Sequence, residues 1–312
     1  MSRLTLVLDS SQIATLLDCE ERWRLLQQEQ LIRINPFDPS STMRPSDAIS
    51  AGLLIHKLLE IYYGAIGRAL GQTEAVRLAN EFDPDAEDVA DAHEYPIDPE
   101  IRQQVYDTFT SYLMFWSQRD YEVSIRYVPF VDIHPVTGLP CDRQRPEALV
   151  EQGFSFPLLD TSEYLFVLEG RIDFIGTCGA SQHLWMDHKS QSRAHTLYQK
   201  SIQFRNYALV TGFDLGVINY IRLTKKVDKT TFVRQPISFS PHETAQWKQE
   251  LIEMYVGFAK RIQRGELQKN RGACGSGFSP CQFIPICEEY NPIMREQIKK
   301  DQFTKRKAWK PW

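Results

Sequence analysis

Asp173, Asp187 and Lys189 stand where buried strands rarely carry charge. Asp173 interrupts the apolar residues Ile172, Phe174 and Ile175, and Asp187 and Lys189 close the run Leu184, Trp185, Met186. Between the two runs lies TCGAS, a glycine-containing stretch that reads as the turn of a β-hairpin. The aspartates are equidistant from Ala180, so a hairpin centred there sets the carboxylates opposite one another. A strand points Asp187 and Lys189, two residues apart, to the same face. Two carboxylates and an ammonium thus share one patch at the edge of an apolar sheet. Like charges facing each other are destabilising, and desolvation makes matters worse. A divalent cation between them removes the repulsion, and oxygen donors of this kind suit Mg²⁺ or Mn²⁺. The lysine then handles a water or neutralises charge on a phosphate under attack. Without a cation, the same residues make an ordinary salt-bridged hairpin end.

Helices and strands around this patch are legible from periodicity. Residues 10–30 read as an amphipathic helix opened by a serine cap, with Ile13, Leu16, Leu17 and Trp23 on one side and Cys19 nearby. A longer helix from about Ser46 carries His56 and Glu60 four apart, on one face with Leu53 and Tyr63. Residues 82–100 hold eight acidic groups and no Lys or Arg, which reads as a solvated, mobile insertion. After the helix EIRQQVYDTFTSYLMFWSQRD come the strand ALVEQGFSFPL and the charged hairpin. A helix with Gln203 and Tyr207 on one face, two more strands and a final helix complete the regular part. The order predicts an α/β fold: a central mixed β-sheet flanked by helices, with a helical N-terminal region.

Bulk properties exclude little. The 312 residues are 42% hydrophobic and 12% aromatic, enough for one large core, and the net charge of -4 rules out a general polycation. Apolar runs such as Ala51 to Ile55 are too short for a bilayer. The N-terminus lacks a signal peptide's apolar run, which leads to the expectation of a cytosolic protein with reduced thiols.

The motifs GLLIHKLLE, GRID, DHKS and QFRNY, in that order, resemble the RecB-type branch of the PD-(D/E)XK nuclease superfamily over about residues 10–290. The resemblance implies a restriction-endonuclease-like core and a Mg²⁺- or Mn²⁺-dependent phosphodiesterase. It makes His56 a metal ligand, Asp173 the central metal carboxylate and Asp187 the second, with the carbonyl of His188 a further ligand. It makes Lys189 the catalytic lysine, and has Gln203 and Tyr207 orient it and contact the DNA backbone. Glu151, on the first strand of the sheet, matches loosely as a supporting residue. The expected substrate is DNA, as single strands or duplex ends, with an RNA-directed nuclease or a DNA-binding scaffold as rivals. A helicase or recombination protein is the partner to look for, and no membrane is implied. One nuclease domain is expected: a helical part over 10–132, the core over 149–240, and a terminal helix with a cysteine segment over 241–290.

The late cysteines Cys274, Cys281 and Cys287 are spaced C-x6-C-x5-C, and Cys19 precedes them by 255 residues. AddB-like subunits and some CRISPR-associated exonucleases, which the chain resembles here, join their two ends through an iron–sulfur cluster. Their late spacing is C-x2-C-x5-C, so the x6 interval departs from it. The resemblance implies a [4Fe–4S] cluster on the four cysteines; structural Zn²⁺ suits the same donors. Cys141 and Cys178 read as packing residues. The tail from Arg295 to Trp312 carries a charge of +5 with interleaved aromatics, as an arm gripping a strand would.

Overall fold

The computed structural model describes residues 3–35, 38–42, 47–68, 70–83, 98–117, 123–124, 132–133, 140–141, 150–178, 182–190, 200–223, 231–275 and 280–305. Most of the acidic stretch, the turn at Ala180, the side chains of Cys141 and Cys178, and Trp309 and Trp312 lie outside the described residues.

In chain order the elements are β1 (Leu4–Leu8), α1 (Ser10–Asp18), α2 (Glu20–Trp23), β2 (Leu31–Asn35), β3 (Asp38–Thr42), α3 (Asp47–Gly67), α4 (Gln72–Asn80) and α5 (Pro99–Ser117). The short strands β4 (Val123–Ser124), β5 (Asp132–Ile133) and β6 (Pro140–Cys141) precede the long β7 (Val150–Asp160), β8 (Tyr164–Cys178) and β9 (Gln182–Lys189). Then follow α6 (Ile202–Thr211), β10 (Leu215–Ile221), β11 (Phe232–Ser238), α7 (Pro241–Arg264), α8 (Ile284–Glu288), α9 (Pro292–Gln302) and β12 (Phe303–Lys305). The chain gathers into two compact units, one of residues 45–156 and 170–248, the other of 1–44, 157–169 and 249–312.

The first unit contains the hairpin. Strands β8 and β9 pair antiparallel from Phe174↔Met186 to Cys178↔Gln182, a register centred on Ala180, in which Asp173 and Asp187 come next. The sheet is mixed, as expected: β9 runs parallel to β10, and β10 antiparallel to β11. A parallel link needs a crossover, which α6 supplies, and Gly212 closes that helix in the left-handed region at φ 67°. Successive residues of β9 face opposite sides. Leu184 and Met186 join a buried cluster with Leu54, Leu58 and Tyr62 of α3 and Phe109 and Tyr112 of α5. Trp185 stacks instead on Phe204 of α6, with ring centroids 5.4 Å apart. Residues Ile49–Gly67 of α3 are long and apolar enough to cross a membrane by composition, yet half of that span is buried within the protein.

The second unit is built from both chain ends. Here β1, which periodicity did not single out, pairs parallel with β8 over Leu4↔Tyr164 to Leu8↔Leu168. The cap of α1 is Asp9, not a serine; its carboxylate accepts the N–H groups of Ser11 and Gln12 at 2.7 and 2.8 Å. The single expected helix is broken at Cys19, whose φ of −166° is extended, and Leu17 is exposed while Ile13, Leu16 and Trp23 are buried. The basic tail is not a free arm up to Lys305. β12 pairs with β2, Phe303 stacks on Phe283, and Arg295 and Lys299 donate to Glu21 and Glu29 at 3.1 and 2.8 Å. Its continuation, residues 306–312, lies outside the described residues.

Candidate active site

Three elements of the first unit converge on one point. His56 comes from α3, Glu151 from β7 and Asp173 from β8, and one donor atom of each lies within 4.8 Å of the other two. Asp173 Oδ2 accepts the His188 N–H at 2.7 Å and faces His56 Nδ1 at 3.6 Å. Glu151 holds a left-handed backbone at φ 50°, a conformation that costs a non-glycine residue energy and gathers at functional sites. Its carboxylate pairs with Arg171 at 2.7 Å.

Beside this trio, Asp187 is 1% exposed and pairs with Lys189 Nζ at 2.8 Å. Gln203 stands between them. Its amide N–H donates to Asp187 Oδ1 at 2.9 Å and its carbonyl accepts from Lys189 at 3.1 Å. Gln203 also donates to the Tyr207 hydroxyl at 2.6 Å, and Tyr207 donates to the Arg171 carbonyl at 2.7 Å. Gln203 thus holds the ammonium directly, and Tyr207 holds Gln203.

Charge in the site is unbalanced toward the negative. Burial, then the field of Asp173, pushes Glu151 up to about 8 and Asp187 up to about 6. Burial raises Asp173 as well. Burial lowers His56 to about 4, so its imidazole is neutral and free to donate a lone pair to a metal. Burial alone would lower Lys189, but Asp187 outweighs it and keeps the ammonium charged. Partly buried carboxylates held toward protonation beside a neutral histidine are a donor set that a divalent cation would stabilise.

The structure brings His56, Glu151, Asp173, Asp187, Lys189, Gln203 and Tyr207 together, and places the backbone N–H of His188 as a donor to Asp173. Glu151 joins His56 and Asp173 in the trio, and Asp187 stands beside it, paired with Lys189 through Oδ2 and accepting from Gln203 at Oδ1. Sequence reading passed over Arg171, although it lies inside GRID. The motif glycines are packing positions: a Cβ on Gly170 would meet the Phe154 ring at 2.5 Å, and one on Gly52 would meet Ser190 Oγ at 2.6 Å.

In the other unit, the four cysteines lie around the junction of α1 with the late segment, all partly exposed. The Asn270 N–H points to Cys19 Sγ at 3.5 Å, and the Cys281 N–H donates to the Cys274 carbonyl at 2.8 Å. Burial, then the neighbouring Cys281 and Cys19, raises the Cys274 thiol, and burial leads the rise of Cys287 to about 11, with Cys19 and Cys281 among the contributors.

A family model described as the PD-(D/E)XK nuclease superfamily matches residues 10–288. No curated protein matches the chain. A solved structure titled "Crystal structure of SSO0001" aligns at 13% identity and a TM-score of 0.24 over 34% of this chain. The chain spans 48% of that structure's length.

Proposed function

The chain belongs to the PD-(D/E)XK nuclease superfamily, and on that premise we propose a divalent-metal-dependent deoxyribonuclease of the RecB-type branch, acting as an exonuclease on single strands or duplex ends. Superfamily members are typically metal-dependent nucleases with nucleic acid as substrate. The observation that carries the reading is the convergence of His56, Glu151 and Asp173 beside the Lys189–Asp187 pair.

In this reading His56, Glu151 and Asp173 would hold Mg²⁺ or Mn²⁺, with Asp187 beside them, its Oδ2 ion-paired with Lys189 and otherwise without a hydrogen-bond partner among the described residues. When bound there, a divalent cation would supply positive charge for the scissile phosphate and would acidify a water. Lys189, kept protonated by Asp187, stabilises the charge that develops on the phosphate rather than acting as a base. Gln203 and Tyr207 orient it. The imidazole of His56 favours Mn²⁺ over Mg²⁺. The four cysteines would hold an iron–sulfur cluster, or zinc, as a structural staple distant in role from the chemistry.

Incubation with end-labelled single- and double-stranded DNA, and with RNA, in Mg²⁺ or Mn²⁺ tests the activity. Release of mononucleotides or short products from DNA ends is expected. Cleavage of RNA alone, or tight DNA binding with no cleavage in either metal, would replace the reading with one of its rivals.

A further inference from the structure

Behind the metal trio, on the face of the sheet away from Lys189, a chain of polar side chains runs through an otherwise apolar core. His188 is 2% exposed, and its Nδ1 lies 2.8 Å from Asn219 Nδ2 on β10, itself fully buried. Asn219 Nδ2 also donates to the Tyr112 hydroxyl of α5 at 3.0 Å. Tyr112 and Tyr63 of α3 share a hydrogen bond of 2.7 Å, and Arg234 of β11 donates to both hydroxyls, at 3.1 and 2.9 Å. The guanidinium sits 3.9 Å over the Trp116 ring, and Tyr63 stacks on the His188 imidazole at 10° and 5.9 Å.

A buried polar network is costly unless it is satisfied, and an apolar core would be the cheaper solution. This one leaves the His188 Nε2 and Asn219 Oδ1 atoms without partners among the described residues, so it is retained at a cost. What it anchors is the residue between Asp187 and Lys189. The backbone N–H of that residue holds Asp173 Oδ2, and its ring packs edge-on against His56 at 5.9 Å. Tyr63, two turns along α3 from His56, ties the ligand-bearing helix to the same network.

We infer that Asn219, Tyr112, Tyr63 and Arg234 are positioning residues for the metal ligands, fixing the His188 backbone and helix α3 so that His56 and Asp173 present their donor atoms to one cation. The inference rests on the metal reading of the trio. It predicts loss of metal affinity from changes that touch neither a ligand nor the substrate, on the scale of roughly 10- to 100-fold that partners of metal ligands command.

The test measures Mn²⁺ binding by titration calorimetry and Tm for the full chain and for Tyr112→Phe, Asn219→Leu and Phe109→Leu. Phe109 is fully buried in the same core but takes no part in the polar chain. Tyr112→Phe and Asn219→Leu should weaken Mn²⁺ by roughly 10-fold or more, while Phe109→Leu lowers Tm and leaves Mn²⁺ affinity unchanged. If Asn219→Leu does not fold, Tyr112→Phe, which removes one oxygen, still carries the comparison. Mn²⁺ affinity in Tyr112→Phe equal to wild type would overturn the inference and leave the metal site standing. A wild-type chain that binds no Mn²⁺ would overturn the metal reading, and this inference with it.

Discussion

The chemistry at the level of single residues turns on which groups hold charge. Lys189 is kept cationic by a carboxylate that is itself pushed up to about 6, so the pair holds its net charge only while both partners are present. Lys189→Ala should lower the cleavage rate by roughly 10²- to 10³-fold, the scale of losing one preorganised electrostatic donor. Asp187 then takes a proton at little cost near neutral pH, so the fold and DNA binding persist. Asp173→Ala should abolish cleavage and Mn²⁺ binding together. Near-wild-type rates in either variant, read on end-labelled DNA, would contradict the assignment. The raised acids also set a pH dependence. Glu151 and Asp187 bind protons more tightly in the folded chain than in the unfolded one. Their stability contribution is therefore full below the unfolded values of 4.5 and 3.8, and lost as pH rises through about 8 and about 6. Metal-free protein should lose Tm steadily across that window, at no more than about 1.4 kcal/mol per pH unit for each group. Saturating Mn²⁺ should flatten the profile, and Glu151→Gln should remove its upper part. A metal-free Tm that climbs from pH 5 to pH 8 would refute the charge imbalance.

At the level of elements, close packing of strands and helices decides what each glycine tolerates. A Cβ on Gly216 of β10 would stand 2.2 to 2.5 Å from three atoms of Trp185, a fully buried ring stacked on Phe204 with no room to retreat. Gly216→Ala should cost roughly 1–3 kcal/mol and, because Trp185 precedes Asp187 by two residues on the same face, should weaken Mn²⁺ binding as well. Gly64→Ala is the counterpart: nothing lies within 4 Å of its Cβ inside α3, so the ordinary helix gain of about 0.5–1 kcal/mol should appear. Thermal melts of the two variants should move in opposite directions. Much of this architecture was legible beforehand, because strands and helices announce themselves by period, and the centring of the hairpin on Ala180 follows from counting. The site was legible to the extent that its residues sit in short local motifs, as His56, Asp173, Asp187, Lys189, Gln203 and Tyr207 do. Other features depend on contacts between distant segments and leave no local trace. The left-handed backbone of Glu151, the pairing of β1 with β8 and the network through Asn219 are of that kind. The break at Cys19 was hidden because apolar spacing continues across it to Trp23.

For the molecule as a whole, the question is what holds the two ends of the chain. Part of the answer is the tail, whose Phe303 is 4% exposed in a cluster with Leu25, Leu31, Phe283 and Ile286. Deleting residues 306–312 should weaken DNA binding and flatten its salt dependence with Tm unchanged, since Arg306, Lys307 and Lys310 go while β12 stays. Deleting 300–312 should also lower Tm, because Phe303 goes too. Equal salt slopes for the first deletion and the full chain would leave the tail without a role in binding. The rest of the answer lies at α1 and α2. Glu20 accepts from Arg261 at 2.7 Å and from the Gln268 N–H at 2.9 Å, while the Asn270 side chain donates to the Asp18 carbonyl at 2.9 Å. These bonds bring Cys19 beside a late segment that has little regular structure of its own, and individually they are modest. A metal centre on Cys19, Cys274, Cys281 and Cys287 would close nearly the whole chain into one loop. The chain-entropy scale for so long a cross-link is roughly 5 kcal/mol, with metal-binding energy added. Cys19→Ser should therefore lower Tm and soluble yield, and nuclease activity should fall in step with the folded fraction rather than with kcat per folded molecule. Anaerobically purified wild-type protein should be brown, with broad absorption near ~400 nm and about four irons per chain for a cubane cluster. One zinc per chain and no colour would make the staple zinc, while metal-free protein with an unchanged Tm would dismiss the shared site.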